Sequence, residues 1–235
     1  MSVKRVIIAF SPLLFLLSIF LVNFETDRTE FGFIATFYVI AFISYLTIYS
    51  QKSTFQFKHL LFFAIVAQLL SMWNEPNLSI DYYRFLWDGE ITLQGINPFD
   101  FKPQELANRD FLTSNEYMQE IYGGISDLSK NNYSCYPPIN QFYFMGASAF
   151  SESLTLSVFI LKLLIVLTEV LGAFFLVKIL DFLSIERSRM WLLYLNPLWI
   201  LECTGNTHFE GVMISFLFIA FYFLLQKKEV LGSVF

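Results

Sequence analysis

The sequence predicts an all-α, polytopic membrane protein whose apolar helices bracket one large polar segment. Three observations carry this. Hydrophobic residues make up 56% of the 235 positions and charged residues 15%, against roughly 25% charged in soluble domains, and the mean hydropathy is +0.55. Apolar runs of spanning or near-spanning length recur at 6–22, 31–49, 59–73, 154–180, 190–203 and 211–226, where a full span needs about 20 residues. The interruption at 74–138 is ~65 residues long, more than a plain connector inside a compact domain needs. A single transmembrane domain over 1–235 is the expected organisation, with 74–138 as a large outer loop carrying juxtamembrane helices. The net charge of −5 says little about a nucleic-acid partner, no basic stripe supports one, and none is expected. Cys135 and Cys203 do not make a disulfide framework, and no zinc-ligand spacing occurs.

Each run has its own justification. The first follows Lys4 and Arg5 and continues to Val22 with no small-residue cleavage site. A signal peptide would have an apolar core of only ~7–15 residues, so this is a retained span. Lys4 and Arg5 place the N-terminus inside. Glu25, Asp27 and Glu30 against Arg28 suit the outside, and Lys52 with Lys58 returns the chain to the cytoplasm. The third run then delivers 74–138 to the outer side. Residues 138–150 are apolar but short, a re-entrant piece or a short span. If they span, Arg187 and Arg189 fall outside, against the positive-inside rule. If they re-enter, those arginines are cytoplasmic, residues 202–210 emerge on the outer side, and Lys227 and Lys228 return inside. The run at 190–203 is interrupted by Asn196-Pro197, the pattern of a broken helix beside a cavity.

The stretch 81–103, DYYRFLWDGEITLQGINPFDFKP, concentrates carboxylates, aromatics and an arginine. Read as a helix over 82–94, it places Tyr82, Phe85, Leu86, Gly89 and Leu93 on an apolar stripe. Asp81, Arg84 and Asp88 fall on a separate charged face. Asp81 suits an N-cap, and Gly95 with Pro98 supplies a stop. Such a helix is expected to lie at the membrane surface with its charged face towards water.

Further groups that could carry chemistry are Gly95-Ile96-Asn97-Pro98-Phe99 with Lys102-Pro103, then Tyr133-Ser134-Cys135-Tyr136-Pro137-Pro138, then Asn196-Pro197 with Thr204-Gly205-Asn206-Thr207-His208-Phe209-Glu210. Each also has a purely structural reading. Arg84 and Asp88 make an ordinary i, i+4 pair. The prolines set the start of a helix. Thr207-x-x-Glu210 is a capping-box pattern. Lys162 and Glu169, inside an apolar run, must face protein or water and could serve only a helix–helix contact.

In this order, D-x-x-R-x-x-x-D-G, G-I-N-P-F with K-P, Y-P-P, N-P and N-x-H-x-E resemble the GT-C glycosyltransferases. Within them the chain is most similar to polyprenol-phosphate-mannose-dependent mannosyltransferases, including the catalytic subunit that adds the first mannose of GPI anchors. The resemblance covers roughly 79–225 and implies a GT-C-like transmembrane helix bundle. It places the catalytic carboxylate at Asp81. Some relatives carry D-x-D where this chain has Ser79-Ile80-Asp81, and relatives are longer, so the chain corresponds to an N-terminal part.

The implied reaction is inverting transfer of a hexose from a polyprenyl-phosphate donor to an acceptor hydroxyl on the outer face. It needs one base, and a phosphate leaving group needs charge stabilisation rather than a general acid. Asp81 is assigned as the base, with Asp88 second. Arg84, Lys102 and His208 are candidates for the phosphate, Tyr136 and Asn97 for the sugar pocket, and Glu210 for substrate contact beside His208. No metal cluster or cofactor motif is visible, although a divalent ion between acids and phosphate is compatible with the chemistry. Partners are the lipid-linked sugar, a glycan or glycolipid acceptor and the bilayer. A multi-pass protein of the plasma (inner) membrane, in a bacterium, is the implied location. The alternative class is a non-catalytic membrane protein: a transporter, a scaffold or a truncated accessory subunit. A transporter is expected to show repeat symmetry, which this sequence lacks.

Overall fold

The computed structural model describes residues 3–235, except for the side chains of residues 3–8 and 111. The orientation signal at Lys4 and Arg5 therefore lies outside the described side chains. Among the described residues the chain is helical, with no strand. In order, the helices are α1 (Val3–Phe24), α2 (Phe31–Ser50), α3 (Phe57–Met72), α4 (Asp81–Leu93), α5 (Asp110–Thr113), α6 (Glu116–Gly124), α7 (Asp127–Lys130), α8 (Pro138–Ser148), α9 (Leu154–Phe182), α10 (Trp191–Tyr194), α11 (Glu210–Leu225) and α12 (Glu229–Val234). A π-helical stretch, Trp199–Gly205, precedes α11. The all-α class follows from the apolar runs, because every buried backbone group in a membrane must be satisfied within its own segment.

Two helices, α2 and α9, are long and apolar enough to cross a membrane, and a third span is available if the π-helical stretch and α11 count as one. Those two pieces meet at a bend of 104°. α1 from Ala9 and α3 are shorter apolar helices.

The chain forms two compact units: residues up to Trp73 together with Ile165–Phe235, and Asn74–Leu164, with the boundary inside α9. In the first unit α1 packs along α2 and also touches α3 and the π-helical stretch. Gly205 allows that stretch close to α1, since a Cβ there would lie 2.7 Å from Asn23 Oδ1. Asn23 in turn donates to the Ile19 carbonyl and to Ser71 Oγ, both at 3.0 Å. Glu169, buried in α9, accepts from Gln68 Nε2 of α3 at 3.1 Å, and Tyr194 donates to its backbone carbonyl at 3.1 Å. Thr204 bonds Gln68 in the same cluster. Glu169 thus serves a helix–helix contact of the kind that apolar surroundings require of a polar side chain. In the second unit Lys162 Nζ donates to the Asn74 carbonyl at 2.7 Å.

The second unit is built around α4, which packs on α8 and α6. Leu86, Trp87 and Ile91 are fully buried. Phe85 stacks on Phe144 with centroids 4.7 Å apart, and Tyr136 meets both rings edge-on. α6 is tied to the start of α9 by Tyr117, whose hydroxyl donates to Ser157 Oγ at 2.7 Å.

Four local expectations are corrected. Asp81 is the first residue of α4 rather than its cap; Ile80 occupies the cap position without a side-chain bond, and Ser79 Oγ accepts from the Asp81 amide at 3.3 Å. An acid in the first turn is stabilised by the helix dipole without having to cap it. Two of the three residues of the charged face do not look into water: Arg84 is 3% exposed and Asp88 not at all. The segment from Ser129 to Gln141 folds over that face and supplies its partners. Leu93, expected on the buried stripe, is exposed instead. Finally, Thr207 does not form a capping box. It sits at φ +60 with its hydroxyl on the Asn206 carbonyl, and Phe209 precedes α11.

Candidate active site

α4 ends in a Schellman turn. Gly95 adopts φ +78, its amide donates to the Thr92 carbonyl at 3.0 Å, and the Ile96 amide donates to the Ile91 carbonyl at 2.9 Å. This releases the chain into the Asn97–Lys102 turn, where Asn97 Oδ1 accepts from the Phe99 amide and Nδ2 donates to Asp100. Lys102 follows, its ammonium 5.1 Å above the Tyr133 ring. Asn97 is exposed, and Lys102 half-buried.

Within α4, Arg84 and Asp88 form a buried ion pair, Nε to Oδ1 at 2.8 Å. One Arg84 terminal nitrogen donates to the carbonyls of Ser129 and Asn132 at 2.7 and 3.0 Å. The other, Nη2, is buried with no protein partner. The second Asp88 oxygen accepts from Ser134 Oγ at 2.6 Å and from Gln141 Nε2 at 3.4 Å, and Gln141 Nε2 also reaches Ser134 Oγ at 3.1 Å. Burial pushes the Asp88 carboxyl above the usual carboxylate range, and the charge of Arg84 with the bonds from Ser134 and Gln141 works against that. Asp88 is sealed from solvent and fully committed to neighbours. Its place is that of a group holding Arg84 and the 129–141 segment on α4.

Asp81 sits three residues before Arg84, at the exposed start of the same helix. Tyr136 is half-buried beside it. Burial raises the Tyr136 phenol, and the negative charge of Asp81 adds to the effect. Asp81, Arg84, Asp88, Asn97, Lys102 and Tyr136 all belong to the second unit. Gln141 and Ser134 belong with them and were not singled out as site residues by the sequence. Ser134 lies within the Tyr133–Pro138 stretch, and Gln141 lies at i+3 from Pro138 in the first turn of α8.

His208 and Glu210 belong to the first unit. His208 Nδ1 lies 3.0 Å from Glu202 Oε2. The two line a hollow of about 330 Å³ with Asn196, Trp199 and Glu210. Glu202 is the residue the sequence reading missed here; it becomes visible only because the π-helical turn carries it back to His208. A phosphate would find two carboxylates in this hollow, so its electrostatics favour a hydroxyl-bearing or cationic group over an anion.

Among the described residues no group of three or more His, Cys, Asp or Glu side chains could hold a metal ion. No curated protein and no solved structure matches the chain. Residues 29–235, which include both units' candidate residues, match the MptA_B family, described as alpha-(1->6)-mannopyranosyltransferase, N-terminal domain, and the chain belongs to that family.

Proposed function

We propose that this membrane glycosyltransferase, mannosyltransferase-like by family, transfers a hexose from a polyprenyl-phosphate donor to an acceptor hydroxyl with inversion, on the outer face of the plasma membrane. The observation that carries the reading is the contrast along α4: Asp81 is exposed at its start, while Asp88 is sealed and ion-paired to Arg84. A base must meet the substrate's proton within hydrogen-bond reach. Exposure of Asp81 supports it as the base, and Asp88 takes the part of a positioning residue.

In the proposed step Asp81 takes the proton of the acceptor hydroxyl as its oxygen attacks the anomeric carbon. The bond from that carbon to the phosphate oxygen breaks, and the lipid phosphate leaves with both electrons. A phosphate is a weak base, so the step calls for charge stabilisation rather than a proton. Lys102 supplies a cation on the same unit, and the buried Nη2 of Arg84 is an N–H group without a protein partner. Tyr136 and Asn97 border the sugar. His208 and Glu210 are the first unit's own candidates for substrate contact, with Glu202 fixing the imidazole through Nδ1. Apolar helices keep the donor's polyprenyl tail in the bilayer while its head reaches the site.

Transfer from polyprenyl-phosphate mannose to a mannoside acceptor, measured in membranes carrying the chain as it occurs in the cell, tests this. Asp81→Asn is expected to cut the rate by roughly 10²–10⁴-fold, the span of general-base catalysis, with no change in protein level. Undiminished transfer by Asp81→Asn removes it as the base. Retention of the donor's anomeric configuration in the product would refute the single-displacement chemistry.

A further inference from the structure

The first unit holds a pocket of about 470 Å³ between α3, α9 and α10, inside the roughly 300–1,000 Å³ range of small-molecule sites. It is open rather than sealed: Leu61, Ile65, Leu69 and Val170 line it and are each 41–61% exposed. These side chains stand on an apolar helix and on one long enough to cross a membrane, so the opening meets hydrocarbon. The amide and carboxylate in the wall are spent elsewhere. Gln68 Nε2 donates to Glu169 Oε2, and the Thr204 hydroxyl donates to the other end of Gln68. The second Glu169 oxygen is turned to α11, where a Cβ on Gly211 would meet it, and Gly211 is not part of the pocket wall. A polar group placed inside would lose its hydration with nothing in return. The pocket suits a hydrocarbon chain.

Charge at one end decides which lipid supplies that chain. Met190 and Trp191 line the pocket together with Leu61, and Trp191 packs on the ring of Phe57 with centroids 5.0 Å apart. The contact joins the start of α3 to the turn before α10. Both carry exposed cations, Lys58 on the first and Arg189 on the second. Arg187 is spent on Asp181, with Nε and Nη2 at 2.7 and 2.9 Å. Among the described residues Lys58 and Arg189 make no ion pair. α3 also starts with neither an acid in its first turn nor a side-chain cap, so its amide end adds to the positive potential. Over 52–58 and 181–191 four cations stand against two acids. Basic pockets between membrane helices favour anionic headgroups, and a zwitterionic lipid brings its own cation to the same place and gains less.

We infer that the first unit binds one anionic phospholipid, with an acyl chain in the pocket between α3 and α9 and the phosphate diester on Lys58 and Arg189. The positive-inside rule sets these cations at the cytoplasmic face, so the headgroup belongs to that leaflet. The lipid-linked donor of the transferase reading presents its phosphate at the outer face, and the two sites are independent.

The test titrates the full chain in detergent micelles with phosphatidylglycerol or phosphatidylcholine of the same acyl chains, and counts bound lipid by native mass spectrometry. Phosphatidylglycerol should bind as one tight equivalent, roughly 25-fold tighter than phosphatidylcholine, because each cation at an anionic headgroup is worth about fivefold. Lys58→Gln combined with Arg189→Gln should erase the preference and leave phosphatidylcholine binding as it was. Both side chains are exposed, so the fold is not at stake. Val170→Trp, which sets an indole across the opening, should remove the tight equivalent at an unchanged lipid-free melting temperature. Equal binding of the two lipids, full preference in the double variant, or full binding in Val170→Trp would each overturn the inference. Displacement by sn-glycerol 3-phosphate would reveal a site for a soluble anion. Displacement by undecaprenyl phosphate more readily than by further phosphatidylglycerol would give the pocket to a polyprenyl chain. Either outcome overturns the inference, and none of these readouts depends on transfer.

Discussion

At Asp88, loss of hydration and the charge of Arg84 act in opposite directions, and the pair is held only because the remaining oxygens and nitrogens find partners. Removing one member is therefore expected to cost far more than removing an exposed acid of the same helix. Arg84→Met should destabilise the fold by about 3–5 kcal/mol, as for other broken buried pairs, seen as a lower midpoint in thermal unfolding. Asp81→Asn should leave that midpoint in place. Equal midpoints for the two variants would show that the Arg84 pair is not structural. A third acid of α4 reports on pH. Burial pushes Glu90 up to about 7, with the carboxylate of Glu152 adding to the shift and the Ser148 hydroxyl opposing it. A raised folded pKa means the folded state holds its proton more tightly than the unfolded chain. The associated stability is complete below pH 4.5 and is lost as pH rises towards 7. Glu90→Gln should accordingly raise the unfolding midpoint at pH 8 and not at pH 4, by on the order of 1 kcal/mol because the group is partly screened by solvent. The same gain at both pH values would contradict the assignment.

At the scale of elements, close helix contacts are made by residues without side-chain bulk. A Cβ on Gly89 of α4 would lie 2.4 Å from the Phe144 carbonyl oxygen of α8. Backbone is the obstacle, so α4 and α8 would have to part. Gly89→Ala is expected to destabilise by about 1–3 kcal/mol or more, the range for overpacking. Because Ser134 and Gln141 reach Asp88 across the same contact, transfer should fall with stability. A Gly89→Ala protein with normal melting and normal transfer would refute this close packing. The α9–α11 contact follows the same rule: a Cβ on Gly172 would meet Ser215 Oγ at 2.3 Å, and one on Gly211 would meet Glu169 Oε1 at 2.2 Å. Small residues of this kind let helices approach where no hydrophobic effect drives them together.

For the whole molecule the property to test is sidedness. Cys135 is exposed and Cys203 buried, so the chain carries its own reporter. Cys135 should react with a membrane-impermeant maleimide in intact cells. In a Cys135→Ser background, Glu210→Cys is expected to label from the same side of the membrane. Labelling of Glu210→Cys only in inverted vesicles would remove His208 and Glu210 from chemistry on the outer face and leave it to Asn74–Leu164.

The sequence by itself determined the all-α membrane class, because composition and run length report directly on burial in lipid. It also determined the helix at Asp81–Leu93 to within a residue and its stop at Gly95, since capping and φ preference are local properties. The family was legible for the same reason: its motifs are short strings in a fixed order. Tertiary structure alone decided which acid is accessible. Asp81 and Asp88 are equivalent on a helical wheel, and only the return of residues 129–141 over α4 hides one and leaves the other exposed. The same return brought Ser134 and Gln141 to the carboxylate, partners 46 and 53 residues distant in sequence. Periodicity carries no information at such separations. The Thr207 capping pattern failed for a related reason: a π-helical turn and a positive φ placed the start of α11 elsewhere, and those choices belong to packing rather than to the local string.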